Sequence, residues 1–290
     1  MLYIYFNLMT DILNETLNKQ WEVDNYKKML STRRFQFLND NGYIIIKNIL
    51  SKEFCNSCIK YLKTDFSGNK LNMPQTDIPY FYSNFEKNSI IYEILKNKTI
   101  DTIVKHKLGH DYKLLWFKIF NKIKWIGQDV EYHQEIIYNQ NSNINVDDSF
   151  QLFIALDHHT LENGCLKLVP YTDKKILEHN EFIDRHGDHK YRVKSEILDK
   201  LIETNNIINC IFEPGDVVFF NDTIPHASAS NPSQFDRFGV SISFVKNNVV
   251  IDEGKREKAY YHRKQKSKSY LQNQLDKLDD IKIATPNIFL

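Results

Sequence analysis

Arg237-Phe238-Gly239-Val240-Ser241-Ile242-Ser243-Phe244 alternates without a break. Successive side chains of a strand point to opposite faces, so Phe238, Val240, Ile242 and Phe244 make a wholly apolar face. Arg237, Gly239, Ser241 and Ser243 make a small, polar one. The apolar face suits packing against helices. The polar face, headed by a cation, suits the inside of a barrel that encloses a small ligand.

Working upstream, the texture from Asp111 onward is that of short strands broken by turns. Candidate strands run over Tyr112–Lys124, Glu131–Tyr138, Phe150–Leu156, Cys165–Val169, Ile207–Phe212, Val217–Asn221 and Arg237–Val245. Glu162-Asn163-Gly164, Glu213-Pro214-Gly215-Asp216 and Asn231-Pro232-Ser233 carry turn chemistry between them. Before Asp111 the chain reads as helices, over residues 1–30, from Thr32 to Leu38, from an N-cap at Ser51 to about Phe66, and over Ile90–Leu95 and Thr99–Lys107. Tyr43–Ile46 is one early β-branched strand. Helices first and many strands after predict a mainly β fold with flanking helices, an antiparallel jelly roll. One domain spans residues 1–290, with a mostly helical part over 1–110, a jelly-roll core over 111–250 and a helical tail over 251–290. Within the core, residues 171–205 are polar, charged and helix-like, and read as an insertion or lid.

With 38 basic and 37 acidic residues the net charge is +1, so no global field draws the chain onto nucleic acid or an anionic membrane. No apolar run is long enough to span a membrane. Residues Met1 to Met9 lack a basic leader and a small-residue cleavage site, so they do not read as a signal peptide. The four cysteines suggest no disulfide framework, and a cytoplasmic location is expected. Cys55 and Cys58 form a C-x-x-C, but they share a helical face with Phe54, Ile59 and Leu62 and read as buried thiols.

The chemistry lies in Tyr132-His133-Gln134-Glu135 and Ile224-Pro225-His226-Ala227-Ser228. On a strand, His133 and Glu135 project from one face, and His226 from a later strand completes two imidazoles and one carboxylate. Such a set leaves the opposite positions of a metal open, as non-haem Fe(II) oxygenases require. Arg237 follows 11 residues after His226, placed to grip the distal carboxylate of 2-oxoglutarate, with the Ser228 hydroxyl near the same group. The expected activity is Fe(II)/2-oxoglutarate-dependent oxidation of a small-molecule substrate by dioxygen. A jelly-roll binding protein without turnover is the alternative. His186-Gly187-Asp188-His189 holds a second H-x-D, but it lies in a charged stretch without strand periodicity and reads as surface loop or lid. His158-His159 is expected at the exposed end of a strand.

The segments YHQE, ALDHHTLENGCLKLVP, EPGDVVFFND, IPHASASNPS and DRFGVSISF together resemble the phytanoyl-CoA dioxygenase family over about residues 32–245. The resemblance implies a double-stranded β-helix, cupin-like, with Fe(II) and 2-oxoglutarate and release of succinate and CO2. It places His133, Glu135 and His226 on the iron ligands, Arg237 and Ser228 on positions that hold 2-oxoglutarate, and an assisting polar residue on the strand before the first His, a place for which Lys118, Asn121, Lys122 and Lys124 compete. Two departures stand out. Glu135 replaces the family's usual Asp, which keeps the charge and favours oxygen insertion over halogenation. Pro170-Tyr171-Thr172-Asp173 replaces the family's P-G-S-H segment, which alters the wall near the substrate, so the family's acyl-CoA specificity is not carried over.

Overall fold

The computed structural model describes residues 32–64, 89–125, 127, 129–139, 144–184 and 189–251. The expected N-terminal helices, the His186–Asp188 part of the rival motif and the C-terminal tail lie outside these residues.

Helix α1 (Thr32–Asn41) leads through Gly42, with φ 74°, into β1 (Tyr43–Ile46). Helix α2 (Lys52–Thr64) starts where the Ser51 hydroxyl accepts from the Phe54 amide at 3.1 Å, as an N-cap should. A 3-10 turn over Ile90–Lys96 precedes α3 (Lys98–Leu108), capped by Asn97 and stopped at Gly109. The strands follow: β2 (Tyr112–Lys122), β3 (Val130–His133), a one-turn α4 (Ile136–Asn139), β4 (Ser149–Ala155) and β5 (Leu166–Leu168). Next come the hairpin β6 (His179–Ile183) and β7 (His189–Val193), α5 (Ser195–Thr204), β8 (Ile208–Asn209), β9 (Val217–Phe220), β10 (His226–Ser228) and β11 (Arg237–Lys246).

Two antiparallel sheets form the core, one ordered β1-β9-β4-β11-β2 and the other β3-β10-β5-β8. Alternation sorts their residues as the sequence predicts. Phe238, Val240, Ile242 and Phe244 join Leu152, Ile154, Phe219 and the apolar faces of α2 and α3 in an outer core. Phe153, Val218 and Phe220 meet Leu166, Leu168 and Cys210 of the second sheet in an inner one. The five-stranded sheet therefore has one face on the helices and one on the barrel interior, the arrangement of a double-stranded β-helix. Gly239 sits where any Cβ would run into the Phe153 ring, 3.0 Å from Cε1 and closer to Cζ.

Four expectations are corrected. Residues 171–205 are a β-hairpin followed by one helix, because His179–Ile183 and His189–Val193 pair with each other and hide their strand character among charges. Strand β2 ends at Lys122 and β8 covers only Ile208–Asn209, with an isolated bridge from Phe212 to His159 carrying the pairing onward. His158 is exposed as expected, but His159 is fully buried and its Nε2 donates to Phe238 O at 2.9 Å. The fourth concerns Glu135 and is described below. Cys55 and Cys58 are buried on α2, and burial pushes both thiols up to about 12, which keeps them inert. No helix among the described residues is long and apolar enough to cross a membrane.

Candidate metal centre and cosubstrate pocket

His133 ends β3 and His226 begins β10, and the two residues are direct partners in that antiparallel pair. Their ring centroids lie 4.3 Å apart. His133 Nδ1 is 2.8 Å from Glu131 O, and His226 Nδ1 is 2.9 Å from Ile224 O. A carbonyl only accepts, so each Nδ1 carries the proton and each Nε2 keeps its lone pair. Such outer bonds fix ligand orientation at metal sites.

Glu135 reaches the same place by a different route from the one its sequence position implies. The strand stops at His133, the chain turns, and Glu135 stands just ahead of α4, whose Ile136 amide donates to Asp222 O at 3.2 Å. Its Oε2 lies 3.7 Å from His133 Nε2 and its Oε1 3.6 Å from Lys118 Nζ. One ligand atom from each of His133, Glu135 and His226 falls within 4.8 Å of the others, and no other such group occurs among the described residues. Burial alone would raise the Glu135 pKa. The Lys118 ammonium and the bond to His133 outweigh it and hold the carboxyl well below its usual range. Burial, with the charge of His133 beside it, depresses His226 to about 3. An ionised carboxylate and an imidazole that resists protons are the protonation states a divalent cation needs.

At the other end of the polar face, Arg237 and Lys122 are Cα partners across β11 and β2. They are 3% and 2% exposed, respectively. Two buried cations facing each other are costly without an anion between them. Lys122 Nζ donates to Ser228 Oγ at 2.8 Å and also to Ala229 O, which leaves the Ser228 proton for another acceptor. Arg237 donates to Gly164 O, while its Nε is buried with no hydrogen-bond partner among the described residues. Burial lowers the guanidinium to about 10. Asn231 bonds to Lys122 O and Phe235 O, each at 2.8 Å, and fixes the turn that delivers Arg237. A small carboxylate fits this corner: it answers the orphaned Nε and both charges.

The four polar candidates on β2 now separate. Lys118 and Lys122 share the interior face, about 13 Å apart along the strand at a rise of roughly 3.3 Å per residue. Lys118 is at the His/Glu end and Lys122 at the Arg237 end. Asn121 is the partner of Phe238 and faces the helices, and Lys124 is exposed beyond the strand.

Residues that spacing did not single out surround the centre. Gln134, wholly buried between the two β3-side ligands, donates to Thr223 O at 2.6 Å and Lys175 O at 2.9 Å. It also accepts from the Leu177 amide at 2.7 Å. Asp222 is fully buried beside Ser149, and burial pushes its carboxyl up to about 7. Gln134 belongs to the H-x-E stretch, but its burial comes from its three hydrogen bonds past the strand end, and nothing in the sequence marks Asp222 beyond its place in Phe220-Asn221-Asp222.

A double-stranded β-helix with two imidazoles and a carboxylate at one end of its interior and a buried arginine at the other is the framework of a non-haem iron oxygenase. Comparison with known proteins narrows the class. The family model for phytanoyl-CoA dioxygenase (PhyH) matches residues 38–239, and the chain belongs to that family of Fe(II)/2-oxoglutarate-dependent oxygenases. The peroxisomal phytanoyl-CoA dioxygenase of Bos taurus is 23% identical over 252 residues, covering 79% of this chain and 73% of that protein. Dioxygenase lolE1 of Epichloe uncinata is 30% identical over a shorter stretch of 113 residues, 39% of each chain. Among solved structures, EctD from S. alaskensis in its apoform shares the fold with a TM-score of 0.62 at 15% identity, over 77% of this chain and 79% of that one. EctD has also been crystallised with bound Fe and with 2-oxoglutarate and 5-hydroxyectoine.

Proposed function

We propose that His133, Glu135 and His226 hold the ferrous ion and that Arg237, Ser228 and Lys122 hold the distal carboxylate of 2-oxoglutarate. The observation that carries this reading is the convergence of three ligand atoms within 4.8 Å, with both imidazoles turned by backbone carbonyls to present Nε2. With iron bound, the centre supplies the oxidation: 2-oxoglutarate is cleaved to succinate and CO2 while dioxygen oxidises a small-molecule substrate. The chain's own part is placement. Arg237 offers a planar fork that grips a carboxylate through two parallel bonds, Lys122 adds charge, and Ser228 adds a hydroxyl donor. Glu135 keeps a carboxylate in the coordination set, which favours oxygen insertion over halogenation. Gln134 ties the 171–205 segment to the strand end ahead of His226. Tyr191 on β7 packs against Tyr138 at 5.3 Å between ring centroids, so the hairpin sits beside the centre and supports a lid role for it.

Four cysteines, all buried and unpaired, support a reducing compartment such as the cytoplasm. The near-zero charge supports a small molecule over nucleic acid. Succinate formation from 2-oxoglutarate with Fe(II) and ascorbate tests the reading. Wild-type protein turns 2-oxoglutarate over, and Glu135→Ala loses metal and turnover together. Undiminished succinate from Glu135→Ala would exclude the assignment.

A further inference from the structure

The barrel wall beside Glu135 carries polar atoms that the fold leaves unanswered. Gln151 on β4 and Ser243 on β11 are Cα partners, and Ser243 faces Trp116 on β2. One step further along β11, Ser241 faces Lys118. Residues directly opposite each other across antiparallel strands present side chains on one face. Lys118, Ser241, Ser243 and Gln151 therefore form one patch on the interior of the five-stranded sheet. Gln151 is 1% and Ser243 0% exposed. Gln151 Nε2 and Ser243 Oγ have no hydrogen-bond partner among the described residues. Native interiors seldom leave such atoms unpaired, and a bound ligand is one of the few physical reasons to keep them so.

Lys118 links this patch to the metal centre. Its Nζ lies 3.6 Å from Glu135 Oε1 and 4.1 Å from the centroid of the Trp116 ring. At the edge of the patch, Asp222 accepts the Ser149 hydroxyl through Oδ2, while its Oδ1 has no hydrogen-bond partner among the described residues. Burial keeps that carboxyl protonated up to about neutrality. An ammonium and an amide NH2 only donate, a protonated carboxyl donates, and a serine can do either. The ligand that answers them is rich in acceptors and negatively charged. An uncharged apolar chain would leave Gln151 Nε2 and Ser243 Oγ stranded at a cost of about 1–3 kcal/mol each.

We propose that Lys118, Ser243 and Gln151 bind a carboxylate of the primary substrate, so that this oxygenase acts on a small carboxylic acid. The inference rests on the oxygenase reading of the adjoining centre. It assigns the two interior lysines to different anions, Lys122 to the cosubstrate and Lys118 to the substrate.

Anaerobic protein loaded with Fe(II) and 2-oxoglutarate is titrated with acetate, acetamide and inorganic phosphate, and Trp emission is followed because the Lys118 ammonium lies over Trp116. Acetate should give a saturable change that Trp116→Phe removes, with acetamide and phosphate at least tenfold weaker. Lys118→Met and Gln151→Leu should each weaken acetate tenfold or more, while Lys118→Arg, which keeps the charge, retains it. The proposal is overturned by acetamide or phosphate matching acetate, by no saturable change with acetate, or by unaltered acetate binding in Lys118→Met. It also falls if Lys118→Met raises the KM for 2-oxoglutarate tenfold while acetate binding stays intact, since the ammonium would then serve the cosubstrate. Acetate binding as described, with no succinate formed in air, would remove the oxygenase reading and leave the carboxylate site standing.

Discussion

Replacing Arg237 by Met keeps an unbranched, flexible stem and removes the charge, and two effects of opposite sign should follow. Burial lowers the guanidinium pKa from 12.5 to about 10, and at about 1.4 kcal/mol per pH unit the fold holds this charge against a penalty on the order of 3 kcal/mol. The group stays charged in folded and unfolded chains below about pH 9, so this penalty does not vary across ordinary pH and is seen only on mutation. Met removes it but strands Gly164 O, which now accepts from Arg237, at about 1–3 kcal/mol. Apo Arg237→Met should therefore be as stable as wild type or more stable by up to about 2 kcal/mol. Cosubstrate affinity should move the other way. Two charge-assisted bonds at roughly 1.5–3 kcal/mol each amount to a loss of about 10²–10⁴ in Kd. Titration calorimetry of 2-oxoglutarate into Mn(II)-loaded protein reads the second effect, and urea unfolding of the apo protein reads the first. A Kd within tenfold of wild type would refute the cosubstrate role. A stability loss of more than about 2 kcal/mol would refute the view that this cation is held at a cost.

Three further outcomes are expected. Asp222, raised from 3.8 to about 7, keeps its proton in the fold while the unfolded chain releases it. Its contribution to apo stability should fall as pH rises from about 4 to 7, by on the order of 4 kcal/mol, and then level off, against an opposite contribution from His226, depressed to about 3; the stability difference between wild type and Asp222→Asn, from urea unfolding at pH 5 and 8, should follow that fall, and a difference independent of pH would contradict the reasoning. Gly164, at φ 73°, leaves no room for a Cβ, which would lie 2.6 Å from Ser230 O and closer still to Ala229 O. Gly164→Ala should cost more than about 2 kcal/mol and weaken 2-oxoglutarate binding through Arg237, and a thermal melt at the wild-type midpoint would exclude this. Gln134→Met removes three buried hydrogen bonds at about 1 kcal/mol each, so trypsin should cut within residues 171–205 faster, and unchanged cleavage would show that Gln134 does not dock that segment.

The barrel was legible because its strands carry their environment in their alternation. Phe238, Val240, Ile242 and Phe244 could face only an apolar layer, and Arg237, Ser241 and Ser243 only a polar one. The His133–His226 pairing was legible as a convergence, though not as a direct cross-strand contact, since register depends on turns that one sequence does not specify. Glu135 was placed at the right site by the wrong local geometry. A period-2 argument assumes the strand continues, and here a turn brings the carboxylate round instead. The 171–205 hairpin was missed because, apart from Val193, its strands are at most half-buried, so no buried apolar set imposes alternation on Asn180, Glu181 and Lys190. Lys118 and Lys122 have the same chemistry on the same face, and only the partners across the barrel separate them. His159 was misjudged because a histidine after a strand is usually wet, and its partner, Phe238 O, lies 79 residues away.

Each imidazole of the proposed metal centre is braced by a carbonyl two residues earlier in the chain, at 2.8 and 2.9 Å. Neither ring leans on the hairpin, on Lys118 or on the arginine corner for its orientation. The orientation of both rings is thus set within two short lengths of backbone, so substitutions in the surrounding walls should leave these two rings as they stand.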